Sequence, residues 1–267
     1  MKKSVTVGAG VLLAGVAYVA FAGPLVPPAG PIDSTYRTLD EVNGRIALTQ
    51  EVAPGTADAV FQITSSGTYF LTGDVIVGQN QSAIRVAAPH VTIDLNGYAL
   101  VGESLFTTVS NNGVERSPGT LQGSVTVRNG VIRGFDGAAV GFTNAGDLLV
   151  VEGVTAENCT VGFLVTDYAQ IRGNTVRGCA TGVLTPIVGD GATGCVVEDN
   201  LIVGCVDGIR MQNDGAGHLV IKNKVFDSTG SNLIIAQGNA LGLPVDVTYP
   251  DSFFGLCNAE DLSNFVR

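Results

Sequence analysis

Apolar and polar residues alternate in short runs along most of the chain, and the runs recur at a regular distance. Strict alternation is typical of half-buried β-strands, whereas a spacing of three or four residues is typical of helices. Five segments follow one template, and their last residues are 24, 20, 26 and 24 positions apart. They are VTVRNGVIRGF (125–135), VVEGVTAENC (150–159), QIRGNTVRGC (170–179), VVEDNLIVGC (196–205) and VIKNKVFDST (220–229). A period of about 24 residues indicates a stacked repeat architecture.

A second block follows each template and adds a third strand to the repeat. It reads GAAV (137–140), GFLV (162–165), GVLT (182–185), GIRM (208–211) and NLII (232–235). Upstream, AIRV (83–86) precedes VTIDLNGYALVG (91–102), which fits the template with one extra residue. Gly and Asn separate the strands, because these residues accept the bends. The pattern predicts an all-β fold, a single-stranded right-handed parallel β-helix of about seven coils with three strands per coil.

Alternation assigns a facing direction to each residue of the first strand. The residues expected to face inward are Val91/Ile93, Val125/Val127, Leu149/Val151, Ala169/Ile171, Cys195/Val197 and Leu219/Ile221. The outward column alternates in charge: Asp94, Arg128, Glu152, Arg172, Glu198 and Lys222. A second outward column nearly repeats this pattern: Arg133, Glu157, Arg177, Val203 and Asp227. Opposite charges on neighbouring rungs attract, which favours this register; the column is either solvated surface or a charged binding strip.

The two ends of the chain have patterns of their own. Lys2 and Lys3 precede an apolar run, and Ala20-Phe21-Ala22 is a small-x-small cleavage pattern, so we expect a signal peptide cleaved after Ala22. An uncleaved membrane anchor is the alternative. Residues 38–48 have the start and apolar spacing of an N-terminal capping helix. The predicted plan is a signal peptide (1–22), a Pro/Gly-rich linker (23–34), an N-terminal cap region (35–59), the β-helix (60–240) and a C-terminal cap or tail (241–267).

Charge narrows the classes of partner. The net charge is −10, and cleavage of a leader carrying Lys2 and Lys3 would make it −12. Nucleic acid and anionic membranes are therefore not expected partners, and acidic polysaccharides would be repelled unless a metal ion or a basic patch intervened. With the leader, this predicts a secreted or extracytoplasmic protein without a stable membrane span after cleavage.

The segment FQITSSGTYFLTGDVIV (61–77), followed by AIRVAAPHVTIDLNGYALVG (83–102), resembles the opening of bacterial right-handed parallel β-helix repeat proteins of the pectate-lyase-like superfamily. The repeats from 125 to 235 continue this resemblance, which is specific to the architecture and not to an enzyme subfamily. It implies carbohydrate as the ligand class. It leaves open whether the chain is an enzyme, and an enzyme of this group would be a polysaccharide lyase or a glycoside hydrolase.

Few residues suggest catalysis. A lyase needs a base and a cation or basic group beside it, and the local candidates are Asp207, Arg210 and Asp214 in DGIRMQND. The alternative is that both Asp-Gly pairs are ordinary turns and Arg210 is an exposed strand residue. Ca²⁺ is compatible with such chemistry, but no specific calcium motif occurs. His90 and His218, the two histidines, fall five coils apart, too far to share a metal ion.

Two further columns, one of cysteines and one of asparagines, each have a structural and a functional interpretation. Cys159, Cys179 and Cys205 share one column, either as a buried ladder of small side chains or as thiols or disulfides with a function. Bend asparagines are expected to satisfy turn backbone groups, with a sugar site as the alternative; these are Asn96, Asn129, Asn174 and Asn200.

The third strand has an outward column with an apolar centre, consisting of Arg85, Ala139, Leu164, Leu184, Arg210 and Ile234. An exposed apolar run marks a covered surface, so we expect the loop 102–123, the C-terminal tail or another subunit to cover Leu164 and Leu184, with a ligand platform as the alternative. Residues 102–123 and 186–194 interrupt the repeat and are expected to be loops.

Two hypotheses about function remain: a secreted protein that binds or modifies a carbohydrate polymer, and a non-catalytic structural, surface or matrix protein.

Overall fold

The computed structural model describes residues 44–103, 111–119, 123–143, 146–186, 193–212 and 217–235, with the backbone of 240–241, 244–246 and 264–266. All lie in the second of two compact units, Leu39–Arg267. This part of the chain contains strands and no helix. None of its residues belongs to a helix long and apolar enough to cross a membrane.

The strands, in chain order, are β1 (Arg45–Ala47), β2 (Ala59–Ile63), β3 (Gly67–Phe70), β4 (Val75–Val77), β5 (Ser82–Val86), β6 (Val91–Asp94), β7 (Ala99–Gly102), β8 (Val114–Arg116), β9 (Ser124–Arg133), β10 (Ala138–Phe142), β11 (Leu148–Glu157), β12 (Val161–Val165), β13 (Gln170–Arg172), β14 (Thr175–Arg177), β15 (Thr181–Thr185), β16 (Val196–Glu198), β17 (Leu201–Val203), β18 (Asp207–Met211), β19 (Leu219–Ile221), β20 (Lys224–Phe226), β21 (Leu233–Ile235), β22 (Ala240–Leu241), β23 (Pro244–Asp246) and β24 (Asn264–Val266).

These strands pair in parallel along three ladders. The first ladder runs β1-β3-β6-β9-β11-β13-β16-β19-β22, and the third runs β2-β5-β8-β10-β12-β15-β18-β21. The second runs β4-β7-β9-β11-β14-β17-β20-β24-β23. Because β9 and β11 are ten residues long and pass through two ladders, the first and second ladders form one sheet. The chain is therefore a parallel β-solenoid of about seven turns, as the repeat predicted.

The interior consists of aliphatic columns that the alternation placed correctly over most of the first ladder. The fully buried column of that ladder is Ile93, Val127, Val151, Ile171, Val197 and Val220. Phe142 and Phe163, from the third ladder, are the bulkiest fully buried side chains of the described residues. Each buried aliphatic or aromatic side chain contributes about 2 kcal/mol of transfer free energy, so the stacked columns supply the core.

The predicted N-terminal capping helix is wrong where the structure tests it. Arg45–Ala47 is strand β1, which pairs in parallel with Thr68–Phe70 of β3. Residues 38–43, the start of that prediction, lie outside the described residues. The apolar spacing was misleading because Ile46 packs against the core as a half-buried strand residue. Cross-strand pairing decided the conformation where the local pattern was ambiguous.

The predicted interruption at 102–123 contains part of a regular turn. Val114–Arg116 forms β8, which pairs with both β5 and β10 in the third ladder. The sequence signal was weak because the strand is only three residues long and carries two charged residues, Glu115 and Arg116. Loop residues remain on both sides of β8, so an additional rung, and not a single long loop, separates AIRV from the later repeats.

The last repeat is shifted by one residue from the predicted register. Leu219 pairs with Val196, and Ile221, not Lys222, pairs with Glu198. His218 and Val220 therefore take the buried positions expected for Leu219 and Ile221. The shift carries into the second outward column, where Phe226 replaces Asp227 beside Val203. In the cysteine column it puts Ser228 at the position expected for Thr229.

The outward column of the third ladder is also corrected at one position. Gly141, and not Ala139, pairs with Leu164, and Ala139 is fully buried. Leu164 pairs with Leu184 as predicted, and both face outward while half-buried. The apolar centre of this column is therefore real and begins at Leu164.

Candidate functional site

The charged column of the first ladder borders an open groove at the bend between the first and second ladders. The groove has a volume of about 510 Å³. We call it the corner groove, and its lining residues are Arg128, Asn129, Glu152, Gly153, Arg172, Gly173, Glu198 and Asp199. The predicted column of alternating charge is confirmed from Asp94 to Glu198, each member pairing with the next.

The floor of the corner groove is built from left-handed bend residues, one after each charged residue. Asn129 and Asp199 have φ of 58°, and Gly153 and Gly173 have φ of 61°. Glycine, Asn and Asp adopt this conformation with the least strain, which explains why only these types occur there. At Gly173 an added Cβ would meet no atom within 4 Å, so the glycine leaves open space between charged side chains.

The upper end of the column is a partly buried ion-pair cluster. The Asp94 side chain is 8% exposed, and its Oδ2 lies 3.4 Å from Arg45 Nη2 and 3.2 Å from Arg128 Nη2. Its Oδ1 accepts a hydrogen bond from the backbone N–H of Asn96 at 2.9 Å. Asp94 therefore has a structural role in holding the bend.

The middle of the column is more accessible. Arg172 donates through Nη2 and Nε to Glu152 Oε2 at 2.9 and 3.2 Å, and these side chains are 52% and 34% exposed. Lys222 lies out of register but still reaches Glu198 Oε1 at 3.2 Å. Exposed pairs of this kind are worth about 1 kcal/mol or less. A ligand could therefore replace either partner of such a pair with only a small loss of free energy.

The structure brings together two of the three candidate catalytic residues. Arg210 Nη1 lies 3.4 Å from Asp207 Oδ2, while Asp214 lies outside the described residues. Asp207 Oδ1 accepts from the backbone N–H of Ser231 on the next turn. In the orientation that satisfies its neighbours, the Gln212 carboxamide oxygen accepts from Arg210 Nε at 2.8 Å. These contacts support the turn interpretation, because Asp207 stabilises a bend and Arg210 is held between two partners.

The two histidines occupy different environments. His90 is exposed, and its Nδ1 lies 3.0 Å from Ser124 Oγ. His218 is fully buried, and its Nδ1 accepts a hydrogen bond from the backbone N–H of Cys195 at 3.0 Å. Burial lowers the pKa of His218, and the nearby Asp167 opposes this only partly. His218 is therefore held neutral as a hydrogen-bond acceptor for Cys195 of the preceding turn.

This burial predicts acid sensitivity. Above pH 6.5, the ordinary histidine pKa, His218 should not make the free energy of unfolding depend on pH. As the pH falls below that value, the unfolded chain gains a proton that the folded chain refuses, so the free energy of unfolding falls until the lower folded-state pKa is passed. Urea unfolding at a series of pH values should show a shallower acid-side loss in His218→Asn than in the parent. The exposed His90→Asn is the matched control, and an unchanged profile in His218→Asn would contradict the prediction.

A buried ion pair joins neighbouring turns where the third ladder leads into the first. Arg116 Nε and Asp147 Oδ2 are 3.3 Å apart, and both side chains are 1% exposed. Arg116 Nη1 donates to the carbonyl of Ala88, and Asp147 accepts from the N–H of Gly123. Burial raises the pKa of Asp147 despite the hydrogen bond and Arg116. No pattern along the chain predicted this pair, because the two residues come from different turns.

The asparagine ladder is confirmed in its structural role, with one member missed. Asn174, Asn200 and Asn223 are buried, and each side-chain oxygen accepts the backbone N–H of the preceding turn, at 2.9 to 3.0 Å. Asn223 was missed because the last repeat was read one residue out of register. Asn96 and Asn129 instead occupy left-handed bend positions near the charged column.

The cysteine column is confirmed as buried. Cys159, Cys179 and Cys205 are 1–4% exposed, and their thiols are free, as is that of Cys195. Cys257 lies outside the described residues. Among the described residues no group of three or more His, Cys, Asp or Glu side chains is arranged to hold a metal ion.

The floor of the corner groove is what sequence reasoning missed. A signal was available, since Gly, Asn or Asp follows the charged residue in successive repeats.

Comparison with protein-family models finds no matching family. Comparisons with curated proteins and with solved structures also find no match. The superfamily resemblance of the repeats therefore remains a prediction, and the groove carries the functional argument.

Proposed function

We propose that this protein is a secreted solenoid that binds an uncharged carbohydrate polymer along the corner groove. The observation that carries the proposal is the column of paired Arg and Glu side chains beside a floor containing glycine. Guanidinium and carboxylate groups offer several hydrogen-bond donors and acceptors in fixed geometry, which suits adjacent sugar hydroxyls. Rungs about 4.8 Å apart repeat this arrangement along the axis, as a polymer of similar units requires.

Charge supports an uncharged ligand over an acidic one. Arginines and acidic side chains nearly balance within the groove, and the whole chain carries a net charge of −10. A polyanion would gain little from such a surface and would be repelled at long range. Secretion rests on the leader pattern in residues 1–22, which lie outside the described residues.

We propose two further features of the fold with this function. The winding is right-handed, because parallel strand crossovers have this hand in about 98% of cases. Each full turn contributes three strands, one to each ladder, which the three-ladder pairing supports. This arrangement exposes the first ladder and its bend as a continuous strip along the solenoid axis.

The test is retention on a panel of polysaccharides, with substitutions in the groove. Arg172→Ala removes a donor, and Gly173→Asn fills the floor with a side chain that the left-handed backbone accepts, as Asn129 does in the same column. We expect Arg172→Ala to weaken binding about tenfold or more, since one hydrogen bond to a charged group contributes about 1.5–3 kcal/mol. Gly173→Asn should also weaken binding, because its side chain occupies the open space at Gly173. Affinity electrophoresis in the presence of each polymer gives the dissociation constant.

The matched control is Arg177→Ala. Arg177 is an exposed arginine on the second ladder, 64% exposed against 52% for Arg172, and it pairs with Glu157 at 3.8 Å outside the groove. Equal weakening by Arg172→Ala and Arg177→Ala, or no retention on any polymer, would overturn the proposal. New reducing ends or unsaturated products, with or without Ca²⁺, would replace binding by a lyase or hydrolase activity.

A structural or matrix role is the second candidate, and the outward Leu164–Leu184 pair favours it. Both leucines face outward on adjacent rungs of the third ladder, where an isolated monomer would leave apolar surface facing water. Self-association through this face would be seen as a concentration-dependent mass in solution that Leu184→Glu abolishes. A monomeric mass at all concentrations would remove the support for this candidate.

A further inference from the structure

Three cysteines occupy one position on consecutive turns, at the bend between the second and third ladders. Cys179 lies between Cys159 and Cys205, because each follows by two residues the paired ends of β11, β14 and β17. Each thiol donates to the backbone carbonyl two residues before it, at 3.4 to 3.9 Å: Cys159 to Glu157, Cys179 to Arg177 and Cys205 to Val203. The next turn continues the column with Ser228, so the sulfurs form a line of three.

The spacing of the turns favours a bridging cation over a disulfide. Neighbouring rungs of a parallel sheet are about 4.8 Å apart. A disulfide needs an S–S bond of about 2.05 Å and Cβ atoms about 3.5–4.5 Å apart, so two rungs would have to close up. Two metal–thiolate bonds of about 2.3 Å in line separate the sulfurs by about 4.6 Å. A two-coordinate cation therefore matches the solenoid repeat without moving the backbone.

We propose that Cys159 and Cys179 bind a soft, thiophilic cation, of the class of Cu(I), Ag(I) and Hg(II), between their sulfurs. Thiolate ligands select soft cations over hard ones. Three sulfurs in a line do not surround a point, so a cation between two of them has only those two as ligands. The site is accordingly linear and two-coordinate.

Binding is an exchange of protons for metal. Each thiol loses one proton as its sulfur–metal bond forms, so one cation releases two protons and no electron is transferred. A divalent cation leaves the buried pair neutral, whereas a monovalent cation leaves one negative charge. Because burial of an uncompensated charge is costly, Hg(II) should bind more tightly than Ag(I).

Solvent reaches the column at Cys159. A pocket of about 240 Å³ opens beside this thiol, and its lining residues are Phe135, Asp136, Asn158, Cys159, Thr160, Gly178 and Ala180. Of the three cysteines in the column, Cys159 is the one that lines this pocket. An incoming cation therefore meets Cys159 first, and Cys179 closes the bridge.

The test is a titration of the full chain with Hg(II) in competition with excess monothiol. Cys257→Ser is used as the parent, so that the cysteine outside the described residues does not contribute. We expect one ion per chain in this competition. A separate titration with an Hg(II) salt and no monothiol should release two protons per ion. X-ray absorption should show two sulfur neighbours at about 2.3 Å.

Substitutions distinguish the bridge from binding to single thiols. Cys179→Ser should weaken binding by about 100-fold or more, because the second ligand acts at high effective concentration. Cys195→Ser is the matched control, since Cys195 is buried outside the column with its sulfur 2.6 Å from the Thr166 carbonyl. Cys205→Ser should also retain the site. Circular dichroism checks folding, and Cys159→Ser provides the same test if Cys179→Ser fails to fold.

Three results would overturn the assignment. They are unchanged affinity in both Cys159→Ser and Cys179→Ser, release of a single proton per ion, and equal loss in Cys195→Ser. The proposed carbohydrate binding does not depend on this site, which lies at a different bend from the corner groove.

Discussion

Replacing Asn200 with leucine is expected to lower the free energy of unfolding by about 4 kcal/mol, because several buried polar groups lose their partners. The Asn200 side-chain oxygen accepts from the backbone N–H and the side-chain amide of Asn174, both at 3.0 Å. Its amide donates to the carbonyls of Ile171 and Glu198 and to Asn223 Oδ1, at 2.8 to 3.0 Å. Leucine has a similar volume and none of these hydrogen bonds.

Urea denaturation followed by circular dichroism measures this loss. Gln79→Leu is the control, because it removes a carboxamide of the same chemistry from an exposed position. A change below about 1 kcal/mol in Asn200→Leu would mean that water replaces the ladder, and that the asparagines do not hold the turns together. The effect should also exceed that of losing the Arg172–Glu152 pair in the corner groove, because that pair is exposed.

Gly182→Ala is expected to be the second large loss, about 3 kcal/mol, because a methyl group cannot fit between neighbouring turns. A Cβ on Gly182 would lie 2.5 Å from the carbonyl oxygen of Gly208 and 2.8 Å from Ile202 Cγ2. Gly162 and Gly208 meet similar contacts at 2.4 and 2.3 Å, so the three form a column in the third ladder. Relief requires moving the backbone of the next turn, which carries its own ladder hydrogen bonds.

Thermal and urea unfolding of Gly182→Ala test this steric argument. Gly73→Ala is the matched control, since a Cβ there would meet nothing within 4 Å. At such a site alanine should be neutral or slightly stabilising, because it reduces the freedom of the unfolded chain. Similar losses in the two variants would show that backbone entropy, and not close packing of turns, explains the glycine column.

The local pattern predicted most of the repeat because period-two alternation is a property of each strand by itself. It failed where two registers satisfy the alternation equally. In the last repeat, Leu219 and Ile221 are a more apolar inward pair than His218 and Val220, so composition favoured the wrong choice. Asn223 decided the outcome, because its oxygen must meet the N–H of Asn200 on the turn before.

The candidate site, too, was predicted from the sequence only in part. The sequence predicted the alternating charges, since each falls at a fixed place in its repeat. It did not predict the groove, because the bend residues that leave space there differ from turn to turn as Asn, Gly, Gly and Asp. The Asp207–Arg210 pair was predicted from proximity along the chain, but its hydrogen bond to Ser231 of the next turn gives it a structural role.

By itself, the sequence determined the class of fold, the length of the repeat and the inward and outward faces of most strands, because these follow from apolar periodicity and from residues that accept bends. Only the tertiary structure decided the last register, the rung formed by β8, the strand conformation of Arg45–Ala47 and the space beside Gly173. Each of these depends on contacts between residues more than 20 positions apart, such as the 23 that separate Asn200 from Asn223. A residue's local pattern carries no information about which partner the neighbouring turn will place beside it.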